Sequence, residues 1–155
     1  MLRNWLLNHP NPWFERQLRS ILVSAKNSGQ NVDDITSQLS SAALAKETTL
    51  VTHRLRALWT LHALGETSPE MLRSFLAADD EHLRVWSIRL LTDSQPMDTG
   101  LGPRMANMPK PLPTADINKF VELAKTDSSG LVRLALASAL QRLPLGVGKR
   151  PRRSR

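Results

Sequence analysis

The residues able to do chemistry are few, and their spacing suits none of the common reactions. Four histidines stand at His9, His53, His62 and His82. Two imidazole ligands on one helical face need a separation of about four residues, whereas His53 and His62 are nine positions apart. The absence of Cys removes disulfides, thiolate nucleophiles, Cys-ligated zinc and c-type haem attachment within this chain. No His-Glu-x-x-His, Gly-rich phosphate loop or Ser elbow occurs. "GLGP" belongs to a proline-rich run, and "LGVGKR" has no helix after it. His62 reads as a packed or hydrogen-bonded histidine beside a buried stripe. His82 follows Asp80 and Glu81 at a helix start, where acids complement the helix dipole. No group is arranged to transfer a proton, hydride or phosphate. The expectation is a non-enzymatic protein with no cofactor, no metal and no small-molecule substrate.

The elements that carry these residues repeat. Four segments align: "FERQLRSIL" from Phe14, "HRLRALWTL" from His53, "LRVWSIRLL" from Leu83 and "VRLALASAL" from Val132. With those first residues as position zero, plus one is Glu15, Arg54, Arg84 and Arg133. Plus four is Leu18, Ala57, Ser87 and Leu136, and plus eight is Leu22, Leu61, Leu91 and Leu140. Positions zero, four, seven and eight share one face of a helix, so each segment predicts an amphipathic helix with a small or aliphatic stripe. Trp59 and Trp86 lie in consecutive segments beside that stripe. Packing is the preferred reading for both, and an exposed anchor for a partner is the alternative.

Other helices are predicted between these. "NVDDITSQLSSAALAK" places acids in its first turn and buries Ile35, Leu39, Ala42 and Ala43. "SPEMLRSFLAA" offers Ser68 as N-cap with Pro69 at the first helical position. "TADINKFVELAK" offers Thr114 as N-cap and a stripe of Ile117, Phe120, Val121 and Ala124. The order is therefore one of helix pairs, an outer helix followed by the segment helix. One pair cannot bury its stripe alone, but stacked pairs share a core. Within "DSQPMDTGLGPRMANMPKPLP", residues 94–113 form an irregular loop, because its five prolines and two glycines forbid a regular helix. The preferred reading is an insertion draped over the repeat surface. Met97, Met105 and Met108 would offer an adaptable partner contact there.

These segments resemble HEAT-type repeats over most of residues 11–143. The pattern is acid or Asn, aliphatic residue, Arg, small residue, then Leu. Asp80 with Leu83 and Arg84, and Asp127 with Val132 and Arg133, match it best, whereas His53 and Glu15 depart from it. The resemblance implies an all-α, right-handed α-solenoid of about four helical hairpins, and a structural hydrogen-bond ladder for Arg54, Arg84 and Arg133. More narrowly, "LRALWTLHALG", "DDEHLRVWSIRLLTD" and "LVRLALASALQRLP" look like the repeat section of large exported planctomycete-type proteins. Those join a dehydrogenase-like propeller and a c-type cytochrome domain to HEAT-like repeats. Only the middle section would match, so neither activity carries over to a residue here.

Charge divides the chain. The net charge is +7, with 21 basic and 14 acidic residues. Lys149, Arg150, Arg152, Arg153 and Arg155 supply five of the basic residues, and without them 16 face 14. Residues 144–155 are thus expected to be a disordered basic tail, preceded by a partial leading helix at 1–10 and the repeat domain at 11–143. The tail would bind nucleic acid without sequence preference. A nearly neutral body and no interleaved aromatic argue against that role. No apolar run approaches the ~20 residues of a membrane span, and no signal-peptide core is present. A start inside a helix, with no leader, fits a fragment, which would be exported if it belongs to the larger proteins. The leading expectation is a scaffold that contacts a protein partner or adjacent domains of a parent chain. The alternatives are a spacer in a haem-containing dehydrogenase-like protein, nucleic-acid binding through the tail, and an enzyme resembling HEAT-like DNA glycosylases or bilin lyases.

Overall fold

The computed structural model describes residues 2–45, 50–95 and 110–143. Among them there is no strand, and the chain is all-α. The helices are α1 (Leu2–Asn8), α2 (Pro12–Asn27), α3 (Asp33–Leu44), α4 (Val51–Ala63), α5 (Pro69–Phe75), α6 (Glu81–Leu91), α7 (Thr114–Thr126) and α8 (Gly130–Leu140). No helix among the described residues is long and apolar enough to cross a membrane. The chain divides into two compact units, Met1–Met71 and Leu72–Arg155.

Local chemistry sets the helix starts. Asn11 caps α2 through a bond from the Trp13 amide to its Oδ1 at 2.9 Å, with Pro12 in the first turn. Ser68 accepts from the Met71 amide at 3.1 Å ahead of Pro69. Asp80 accepts from the amides of His82 and Leu83, which accounts for the acidic cluster before α6. The start of α7 differs from expectation. Thr114 is its first helical residue, and Pro113 precedes it without a side-chain cap.

Two helix ends use glycine. Gly29 and Gly65 have φ of +77° and +72°, the left-handed conformation that only glycine adopts cheaply. After each glycine the next amide reaches back into the helix, Gln30 to the Ala25 carbonyl at 3.0 Å and Glu66 to the Leu61 carbonyl at 2.8 Å. This pairing satisfies carbonyls that the helix leaves open.

In the first unit, α1 packs on α2, α3 and α4, while α3 and α2 each pack on α4. Leu6, Leu7, Leu22, Leu39, Ala42, Ala43, Leu58 and Leu61 form its core. In the second unit α8 packs on α6 and α7, around Leu83, Ile88, Phe120, Val132 and Leu136. The predicted stripe is therefore present at most positions. Its exceptions are Phe14, 39% exposed, Ile21, 60% exposed, Val121, 48% exposed, Leu140, 59% exposed, and Ala124. Three of these border one open groove.

The two described ends of the proline-rich segment are tied together. Gln95 is buried and donates from Nε2 to the Lys110 carbonyl at 2.9 Å. The interior of that segment, with Met97, Met105 and Met108, lies outside the described residues, as does the tail carrying Lys149, Arg150, Arg152, Arg153 and Arg155.

Candidate functional site

The histidines stay apart from one another. His9 sits against Trp5 and Phe14, and His62 Nδ1 lies 3.0 Å from Thr67 Oγ1. His53 is half-buried, and burial, with the nearby Arg56 charge second, holds its imidazole below its ordinary value. His82 is exposed at the start of α6. No three His, Asp or Glu side chains converge as a metal site among the described residues.

The arginines at position plus one do share a task. Each donates to a carbonyl in the last turn of the preceding helix or in the connection that follows it. Arg54 is buried and bonds the Ala43 carbonyl at 3.0 Å through Nε. Arg84 bonds the Ala78 and Asp79 carbonyls beyond α5 at 2.7 and 2.8 Å. Arg133 bonds the carbonyl of Asp127, the C-cap of α7, at 3.2 Å. Other cations do the same elsewhere. Arg56 closes α1 at the Leu7 and His9 carbonyls, and Lys26 reaches the Leu64 carbonyl of α4 at 2.5 Å. Arg142 approaches the Asp93 and Gln95 carbonyls after α6. A cation at the negative end of a helix meets both the open carbonyls and the dipole.

Arg84 does more. Its Nε and Nη2 grip both Asp127 oxygens at 2.7 and 3.0 Å, the bidentate geometry available only to guanidinium. Asp127 Oδ1 also accepts from the Ser129 amide at 2.9 Å. The Arg84 hydrogen bonds hold the Asp127 carboxyl below its ordinary value, against the opposing effect of burial. Ser129 in turn caps α8 at the Val132 amide and donates to Glu81. Asp80 and Asp127, matched in sequence, therefore have different jobs: the first caps a helix and the second clasps an arginine. A second clasp was not legible in the sequence. Arg73 holds buried Asp116 in the same two-bond fashion, at 2.6 and 3.0 Å. Asp116 resembled an ordinary first-turn acid, and its partner is 43 residues away.

Glu15 stands where an arginine was expected, and it is buried. It pairs with Arg19 within α2 and lies 3.9 Å from Arg56 Nε. A buried carboxylate needs such partners. The tryptophans singled out earlier are half-buried, each with a guanidinium over its ring: Arg19 on Trp59 at 5.8 Å and Arg89 on Trp86 at 5.2 Å. Both distances suit cation–π attraction. An aromatic cluster that the sequence reading overlooked joins Trp5, His9, Trp13 and Phe14, with Trp5 stacked on His9 at 5.0 Å. Its only sequence sign was the density of rings around two prolines.

The largest difference between equivalent positions is on α8. Positions plus two, five and eight are Leu55, Leu58 and Leu61 in α4, and Val85, Ile88 and Leu91 in α6. All six are buried. In α8 the same positions are Leu134, Ala137 and Leu140, and all three are exposed. Leu131 is also exposed, on the opposite flank of the buried stripe. Only part of a helix that is apolar around most of its circumference is thus covered. Alongside Leu140 runs an open groove of about 370 Å³ between α7 and α8, floored by Phe120, Ala124 and Leu136.

Comparison with protein-family models, with curated proteins and with solved structures finds no match.

Proposed function

We propose that the chain is a non-catalytic HEAT-like repeat scaffold that makes protein–protein contacts. In this reading it is a right-handed solenoid of about four hairpins, α1–α2, α3–α4, α5–α6 and α7–α8. The bonding of Arg54, Arg84 and Arg133 to carbonyls at the end of the preceding helix or just after it supports equivalence among the last three. Within each unit the second helices of neighbouring pairs adjoin, α2 against α4 and α6 against α8, as stacking requires. Rigid display is the mechanism: the fixed helices hold an apolar surface, and a partner covers it.

The observation that carries the function is the open flank of α8. Its apolar residues at plus two, five and eight are exposed, while their counterparts in α4 and α6 are buried. A helix apolar on nearly every side is normally covered. The nucleic-acid alternative gains nothing from Arg54, Arg56, Arg84 and Lys26, which are already engaged by backbone carbonyls.

A second reading shares the same observation. If the chain is a spacer within a larger exported protein, the next segment of that protein would cover the flank. An antibody raised against residues 33–92 separates the two in native extract divided into cytosol and envelope. A band near 17.3 kDa supports the separate scaffold. A band several times larger in the envelope fraction rejects it for the spacer.

A further inference from the structure

We propose that the α7–α8 groove is a docking site for one apolar helix of another protein, a helix with carboxylates at one end. The inference deepens the scaffold reading and rests on it. Three observations carry it. First, the groove is apolar at its floor and open at one side, with Val121 and Leu140 about half exposed at its edges. Its volume is about 370 Å³. Second, the positions of α8 bordering it match positions of α4 and α6 that helix packing buries. The occupant with the right shape is therefore another helix laid along α8, presenting aliphatic residues at i, i+3, i+4 and i+7.

Third, the charge on the lip selects among helices. Lys125 and Arg133 border the groove, and among the described residues no acid lines it. A second copy of the chain using the same face would bring these cations toward their own duplicates, an arrangement that costs free energy. The chain's own segment 144–155 is likewise basic, with five cations and no acid. Both cations flank the connection from α7 to α8, so a helix with Glu or Asp at the end laid there meets both the apolar floor and the two cations.

The test uses the full chain and two fluorescent helical peptides of about 14 residues, a length near the limit for helix formation in water. Both carry leucines at i, i+3, i+4 and i+7. One ends in glutamates and its twin in lysines. Anisotropy titration at low salt should show the glutamate peptide binding at least about tenfold tighter, with the difference shrinking as salt rises. Leu140→Glu should weaken that binding by about tenfold or more with an unchanged unfolding midpoint, and Leu131→Glu, off the groove, should leave it as it was. Equal binding of the two peptides, or binding indifferent to Leu140→Glu, overturns the proposal. So does a chain that self-associates in sedimentation and becomes monomeric with Leu140→Glu, which would assign the face to a second copy. Binding of neither peptide, together with protein crosslinks from Trp13 in cells, overturns the groove assignment and leaves the scaffold reading standing.

Discussion

Arg84 and Arg133 hold equivalent places in the sequence and unequal places in the molecule, so their removal should have unequal effects. Arg84 makes two carbonyl bonds and a two-bond clasp on nearly buried Asp127. Arg84→Ala leaves that carboxylate without its main partner and should cost about 3 kcal/mol in urea unfolding. Arg84→Lys should recover little of this, because an ammonium cannot make the planar double contact. Arg133 is exposed and makes one bond of 3.2 Å, so Arg133→Ala should cost less than about 1 kcal/mol. The pH dependence follows from two groups. Asp127 is held below its ordinary 3.8, so the folded state binds fewer protons than the unfolded state near that pH. Its contribution is complete above about 3.8 and is lost as pH falls below it. His53 is held below its ordinary 6.5, so it too opposes protonation in the folded state. Stability should be full above about pH 6.5 and decline below it, and His53→Gln should flatten that upper part of the curve. A stability that rises as pH drops from 6.5 would refute the assignment for His53. The sequence marked the positions of Arg54, Arg84 and Arg133 but not their partners, since an arginine's choice of carbonyl depends on which helix end folds beside it.

At the scale of the helix, the stripe reading held in α8 at positions zero, four and seven, where Val132, Leu136 and Ala139 are buried, and failed at position eight, Leu140. Positions four and eight are buried in α4 and α6. In α8 the covered face runs through Val132, Ala135, Leu136 and Ala139 and stops short of Leu140. A hydrophobic period reports which residues seek burial and is silent on whether a neighbour is there to provide it. The same distinction sets the expected mutational pattern along α8. Leu136→Asp should unfold the second unit, as should Leu83→Asp in α6, because each buries a charge with no partner at a cost of several kcal/mol. Leu134→Asp should change stability by no more than about 0.5 kcal/mol, since Leu134 is 62% exposed. Equal melting of all three variants and the wild type, followed by circular dichroism, would reject the packing described for α6 and α8. At the end of α4, Gly65→Ala should cost about 1–2 kcal/mol through its left-handed backbone.

For the whole molecule, composition and period were enough to establish an all-α chain. They were not enough to find the N-terminal aromatic cluster or the Arg73–Asp116 clasp, because both depend on contacts between segments whose spacing carries no motif. Arg54, Arg56 and Lys26 bond carbonyls at helix ends, while α8 exposes Leu131, Leu134 and Leu140. The account's central claim is that a protein covers the open flank of α8. Site-specific photo-crosslinking in cells of the source organism tests it most directly, with a photoreactive residue at Leu134 or Leu140 and, as control, at exposed Glu122 on α7. The account predicts a discrete crosslinked protein from Leu134 and Leu140 and none from Glu122. The same products from all three positions, or no product from α8 at all, would contradict it.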